Sequence, residues 1–365
     1  MRRTPVPGDR VEELDTPVLL LDLDALEHNI GVVARRYRDG GVQLRPHVKN
    51  HKSPQIAWMQ VNAGGAVCGV CAAKVSEAEA FVEAGFPNVL IANQVVAPDK
   101  IRRLASLAKR ADVMVTVDEE EQVRRLSEGA AATGASIGVL VEVDTMMRRG
   151  GVRAVEQGVA LAKRIASAPG LTFRGVQSHQ TPETPAPSRE ERFAQGARFM
   201  GMVIEVKRAI EAEGLPVEIV STGESWTYDV AQSVEGVTEI EGGTYAIMEI
   251  PYAFMSEFRF AARVMGTVVS RPSERTAIGD VSVEAIGAPN GPPNVDGLDG
   301  VRVRAITAEA TVLESDGPMP LRVGDRYFLL THQQDVTMNR WDAYVGVRDG
   351  RVEAVFEATA RGRCN

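Results

Sequence analysis

Long hydrophobic runs are missing from this 365-residue sequence. None approaches the roughly 20 consecutive apolar residues that a bilayer span needs. The opening, Met1 to Val11, is polar, contains proline and lacks the apolar stretch of a secretory signal. Blocks of Lys and Arg are missing as well. The 41 basic residues are scattered through predicted helices and outnumbered by 49 acidic ones, for a net charge of -8. Nothing here marks a nucleic-acid or anionic-membrane surface, and the acidity serves solubility. Cysteine is scarce: Cys68, Cys71 and Cys364 are the three present. An odd, sparse count argues against a disulfide framework and fits a reducing compartment. Cys68-x-x-Cys71 has no partner pair and lies in an apolar run, so it reads as buried inert thiols rather than a zinc or redox centre. No repeat of about 20–50 residues is found. These absences point to a soluble, cytoplasmic protein. At 44% hydrophobic and 25% charged residues it has an ordinary globular composition.

What is present is a rhythm. From about residue 40 to 220, short β-rich runs alternate with longer amphipathic stretches. The runs include Val89 to Ile91, Val113 to Val117, Ile137 to Val143, Leu171 to Val176 and Val217 to Val220. Pro98 to Arg110 and Glu119 to Ala132 have helical periodicity, with Val123, Leu126 and Ala130 on one face. About eight βα units fit between Val42 and Tyr245, as a (β/α)8 barrel requires, with an open doubly wound sheet as the competing arrangement. Beyond about Phe260 the pattern changes to short strands, such as Val264 to Ser270, Val301 to Ile306 and Val352 to Phe356, with no intervening helix pattern. Asp349-Gly350 between two of these runs is a hairpin signal. We therefore expect a barrel over residues 1–258 and an antiparallel β domain over 259–365. The strand at Val18 to Leu21 could belong to either.

The first chemical constellation is Arg45-Pro46-His47-Val48-Lys49-Asn50-His51-Lys52, following a strand-like run. A lysine past the carboxyl end of a barrel strand stands where such barrels put their active sites. Crowded cations favour the neutral amine that Schiff-base chemistry needs. The bland alternative is a basic surface turn. The stretch RPHVKNHK closely resembles the RPHVKTHK motif of the D-threonine aldolase and D-serine dehydratase family. TPVLLLDLDALEHNI (Thr16 to Ile30) and the run from Cys68 to Val96 are similar to the same family, almost end to end. The resemblance implies a fold-type III enzyme: an alanine-racemase-like barrel plus a C-terminal β domain, working as a homodimer with pyridoxal 5'-phosphate. It makes Lys49 the Schiff-base lysine, with Asn50 in place of the usual threonine.

Other sites follow from the same resemblance. Val143 to Val152 resembles VDVGMGRCGV, which places Arg149 near the cofactor ring and puts Met146 and Arg148 where the family has glycines. Thr222-Gly223 and Gly243-Thr244-Tyr245 follow late strands and offer glycine-containing turns for the cofactor phosphate. Gln177 matches a family glutamine; His179 stands where the family has tyrosine, either as a general acid or base or as a spacer in a reshaped pocket. His332 and Asp335 resemble the family's metal-binding His and Asp, one residue further apart than usual. An imidazole and a carboxylate without a thiol suit Mn²⁺, Mg²⁺ or Zn²⁺. Glu284 replaces a family lysine. The implied reaction is cleavage of a D-3-hydroxy-α-amino acid to glycine and an aldehyde. A dehydratase giving a 2-oxo acid and ammonia, a racemase using His179, and a non-catalytic cofactor-binding protein are the alternatives.

Overall fold

A computed structural model describes residues 4–365. The chain forms two compact units. The first comprises Val33–Lys49, Ala57–Gly243 and Arg363–Asn365; the second comprises the residues before Val33 together with Asn50–Ile56 and Thr244–Gly362.

The first unit is the barrel. After β1 (Val18–Asp22) and α1 (Leu23–Tyr37), the chain alternates β2 (Gln43–Leu44), α2 (Pro54–Asn62), β3 (Val70–Ala72), α3 (Val75–Glu83), β4 (Asn88–Ile91) and α4 (Pro98–Leu107). It continues through β5 (Asp112–Val117), α5 (Glu120–Thr133), β6 (Ile137–Glu142), α6 (Val155–Ala166), β7 (Leu171–Ser178), α7 (Arg189–Ala212), β8 (Ile219–Thr222) and β9 (Glu239–Ile240). Strands β2 to β9 make one 8-stranded sheet in the order β2-β9-β8-β7-β6-β5-β4-β3, and its ladders are parallel. Parallel bridges Leu44–Ala66, just before β3, and His47–Cys71, within it, join the β2 segment to the β3 segment and close the ring. The open-sheet alternative is thereby excluded. Strands β3 to β6 are apolar on both faces and buried, as parallel strands covered by helices must be. On α5 the buried residues are Val123, Leu126 and Ala130, the face expected from the periodicity.

In β7 the residue Gly175 carries φ 150°, and a Cβ there would collide with the carbonyl oxygen of Ile219 on β8. The glycine allows β7 to bulge against β6, where the register shifts after Val139.

The second unit is built on a 9-stranded sheet. Its strands are β1, β10 (Ala262–Ser273), β11 (Thr276–Gly279), β12 (Asn294–Val295), β13 (Val301–Ile306), β14 (Thr311–Ser315), β15 (Arg326–Leu330), β16 (Ala343–Arg348) and β17 (Arg351–Glu357). Pairing is antiparallel except between β1 and β16. β1 lies between β10 and β16, and Val18, Leu20, Met265, Val345 and Val352 form an apolar cluster with Leu14. Asp349 and Gly350 turn the β16–β17 hairpin with φ 49° and 72°, the signs that a type I′ turn demands. Two short helices, α8 (Thr244–Ile247) and α9 (Gln334–Met338), also lie in this unit. No helix pattern was expected in the α9 region; five residues are too few to repeat an apolar face. No helix among the described residues is long and apolar enough to cross a membrane.

A candidate active site at the strand ends of the barrel

β2 has few ladder partners of its own and is extended by backbone bonds from its neighbours. Arg45 N–H donates to Ile240, His47 N–H to Gly242, and Val48 N–H to Cys71. These bonds carry the chain straight to the carboxyl end of the barrel, where Lys49 stands half-buried in the following turn. Its ammonium acts electrostatically on His179, Glu224 and Cys71. Arg45, expected to crowd that lysine, is instead matched by Glu239: Nε meets Oε1 at 2.6 Å and Nη2 meets Oε2 at 2.8 Å, both side chains buried.

The floor of the site is a polar cluster drawn from four strand ends. His179 follows β7, with Nε2 3.2 Å from the carbonyl oxygen of Ala92 and Nδ1 3.1 Å from Glu224 Oε1. The same Nδ1 is 3.6 Å from Glu241 Oε2. Glu241 follows β9 and is fully buried; Ser221 donates to its Oε1 at 2.9 Å, and the Cys71 thiol to its Oε2 at 3.2 Å. The rings of His47 and His179 lie 6.0 Å apart and nearly parallel.

Burial works against a charge on His179, but Glu241 and Glu224 outweigh it and raise its pKa above the ordinary imidazole value. Glu224 moves the other way. Burial would raise it, and the contact with His179 brings it below the usual carboxylate range. Burial lifts Glu241, and burial with the neighbouring Glu241 carboxylate pushes the Cys71 thiol well up. Cys71 is accordingly a buried, protonated thiol, whereas Cys68, expected to be buried with it, is exposed.

Gln177, near the end of β7, is fully buried, and neither its amide oxygen nor its nitrogen has a hydrogen-bond partner among the described residues. A buried amide left open on both sides is costly, and it fits a ligand that offers both a donor and an acceptor. Arg149 is half exposed. It lies 3.6 Å from the buried carboxylate of Glu142 at the end of β6, and it lines a cavity of about 780 Å³ with Asp118, Gly151 and Arg153. The loop before it holds Met146 at φ 76° and Arg148 at φ 54°. The left-handed shape that glycine adopts freely is thus kept without glycine.

Thr222 receives a hydrogen bond from Gln180 at 3.0 Å and shares one with Ser178 at 2.7 Å. Gly223 has φ 110°, a backbone conformation that favours glycine, and a Cβ there would also press on the end of the Met200 side chain at 2.7 Å. Gly243 N–H donates to Ser225 Oγ at 3.2 Å. Tyr245, His332 and Asp335 belong to the second unit. Tyr245 is buried with its ring 5.8 Å from Phe258. His332 is half-buried, and Asp335 lies in the first turn of α9 with Oδ1 buried and without a hydrogen-bond partner among the described residues.

Sequence reasoning singled out Lys49, Gln177 and His179 but passed over Glu142, Glu224 and Glu241. The available signal was position. Each is a polar residue at or just past the carboxyl end of an apolar barrel strand, where a core role is not available to it.

The alanine racemase N-terminal domain family matches residues 21–250, and a serine dehydratase domain family matches residues 261–347. A 3-hydroxy-D-aspartate aldolase of Paracoccus denitrificans (strain Pd 1222) is 38% identical, over 98% of this chain and 95% of the relative. The chain belongs to the alanine-racemase-like aldolase family. A D-threonine aldolase of Arthrobacter sp. is 34% identical over the same shares of the two chains. The crystal structure of D-threonine aldolase from Filomicrobium marinum superposes with a TM-score of 0.95 at 36% identity, covering 100% of both chains. The cofactor of this alanine-racemase-like family is pyridoxal 5'-phosphate, and the open Gln177 amide near the end of β7 fits a ligand of that polarity.

Proposed function

We propose that the chain is a pyridoxal-phosphate-dependent lyase that cleaves a D-3-hydroxy-α-amino acid into glycine and an aldehyde. The observation that carries the reading is Lys49, half-buried at the carboxyl end of β2 in a chain 38% identical to a 3-hydroxy-D-aspartate aldolase. Bound pyridoxal phosphate supplies an electron sink for the pair released when the Cα–Cβ bond breaks.

The chain's own residues do the rest. Lys49 Nζ is the amine that would hold the cofactor. Gln177 offers the cofactor one donor and one acceptor. Arg149 lies close enough to Glu142 for the carboxylate to orient its guanidinium, and Thr222, Gly223, Gly243 and Tyr245 are our candidates for the phosphate end. His179 has both nitrogens engaged, one toward Ala92 and one toward Glu224. It therefore lacks the open nitrogen that a second base needs, which disfavours the racemase alternative. For a divalent ion, His332 and Asp335 are the proposed ligands. The partnerless buried Oδ1 of Asp335 fits that assignment, and a metal there supplies Lewis acidity toward oxygen.

The test is product analysis of the purified protein with pyridoxal phosphate and Mn²⁺. The substrates are D-threonine, D-threo-3-hydroxyaspartate, D-phenylserine and D-serine. Glycine with acetaldehyde, glyoxylate or benzaldehyde, lost in Lys49→Ala, is the expected result. A 2-oxo acid with ammonia instead would transfer the chain to the dehydratases, and no glycine from any substrate would overturn the proposal.

A further inference from the structure

We propose that His47, His179 and Glu241 form a binding site for a borderline first-row divalent ion of the Zn²⁺ type, separate from the His332 and Asp335 pair. Among the described residues these three are the one group of His, Cys, Asp or Glu side chains whose ligand atoms all lie within 4.8 Å of one another, and all three are buried. They come from three different strand ends, those of β2, β7 and β9.

The orientation of His179 is the second observation. Its Nε2 faces a backbone carbonyl, Ala92 O at 3.2 Å, which can only accept, so the hydrogen of the neutral ring sits on Nε2. The lone pair of Nδ1 then points at Glu224 Oε1 and Glu241 Oε2, two acceptors. With carboxylate oxygens facing it, Nδ1 holds either a proton or a metal ion. A ring nitrogen anchored on a carbonyl while its partner nitrogen faces the ion is how metal-ligating histidines are held.

The distances agree. At 3.6 Å, Nδ1 to Glu241 Oε2 is too long for a hydrogen bond. Ligands bound at 2.0–2.2 Å with a tetrahedral angle lie about 3.3–3.6 Å from each other. The three ligand atoms lie within 4.8 Å of one another, so binding such an ion draws them together by up to about 1.2–1.5 Å. Glu241 is also braced. Ser221 holds Oε1, and the Cys71 thiol holds Oε2. Two imidazoles and one carboxylate, with a thiol beside them, suit Zn²⁺ and its neighbours rather than Mg²⁺ or Ca²⁺. An ion here ties three strand ends together beside Lys49.

The alternative occupant is a proton, which makes His179 an imidazolium hydrogen-bonded to Glu224. The two are separated by metal analysis of the full-length holoprotein carrying His332→Ala and Asp335→Ala, which empties the other pair. After equilibration with micromolar Zn²⁺ and dialysis, about one zinc per chain should remain. Cobalt substitution in that background should give visible d–d bands of a four-coordinate nitrogen and oxygen site. Adding Glu241→Gln, close to isosteric, should weaken zinc binding at least tenfold while circular dichroism stays unchanged, and His47→Asn should do the same should the first variant fold poorly. No retained zinc in the His332→Ala/Asp335→Ala protein overturns the proposal, as does zinc retained equally in Glu241→Gln and His47→Asn. Metal content is read without turnover, so the outcome stands apart from the aldolase reading.

Discussion

Glu239→Gln should destabilise the barrel far more than its size suggests. Arg45 and Glu239 are 2% and 5% exposed, with two N–H···O contacts between them. Breaking a buried pair from one side costs about 3–5 kcal/mol because the remaining ion stays buried and unmatched. Glutamine keeps one acceptor for the guanidinium, and the Asn88 contact of Arg45 persists, so the lower end applies: about 3 kcal/mol. Replacing both partners by apolar residues, Arg45→Met with Glu239→Leu, should return to within ~1 kcal/mol of the parent. Urea unfolding followed through Trp226, buried in the barrel unit, is the assay. With an m-value near 3 kcal/mol per molar, the single variant's midpoint should fall on the order of 1 M, and the double variant's by far less. A single variant shifted by less than ~0.3 M, or a double variant as weak as the single, would refute the reasoning.

Three further outcomes follow from other features. Met146→Gly and Arg148→Gly should each stabilise the protein by about 0.5–1 kcal/mol, since a left-handed non-glycine residue costs about 1–2 kcal/mol and glycine returns part of that as chain entropy; calorimetry showing a loss would mean those side chains pack usefully. Burial pushes the Tyr327 hydroxyl up to about 12 from 10.0. The folded state therefore holds this proton more tightly than the unfolded chain. Its contribution is full below pH 10 and lost as pH rises toward 12, roughly 2–3 kcal/mol in all. Tyr327→Phe should flatten the alkaline limb of a stability profile, and an unchanged limb would exclude this group. Finally, Mn²⁺ at a hundred times its dissociation constant should stabilise the parent by ~2.7 kcal/mol and leave Asp335→Asn unmoved. An equal gain in both proteins would remove Asp335 from the metal pair.

The barrel was legible because its middle strands are predominantly apolar and its helices carry clean faces, as at Val123, Leu126 and Ala130. The hairpin at Asp349-Gly350 was legible for a different reason, namely that few dipeptides accept two positive φ values. Ring closure was not. β2 and β9 are two residues each, below any periodicity, and only the backbone bonds of Arg45, His47 and Val48 show them as walls. The site divided along the same line. Lys49 and Gln177 were singled out through motif resemblance. Glu224 and Glu241 were not, because a glutamate after a strand is ordinarily a solvated loop residue, and nothing local says that it turns inward to meet a histidine about 45 or 60 positions earlier in the chain.

The closure of the ring also sets an order on biosynthesis. Arg45 and Glu239 are 194 positions apart, and β2 has β9 as one of its two neighbours. A growing chain displays its lysine early, on a strand whose wall has not yet been made. Until translation passes β9 and the new polypeptide clears the ribosome, Lys49 is an ordinary amine on an unpaired edge, and the enclosed site assembles in one late, long-range step. Nascent fragments ending before Glu239 should therefore remain unable to take up cofactor, however long they are given.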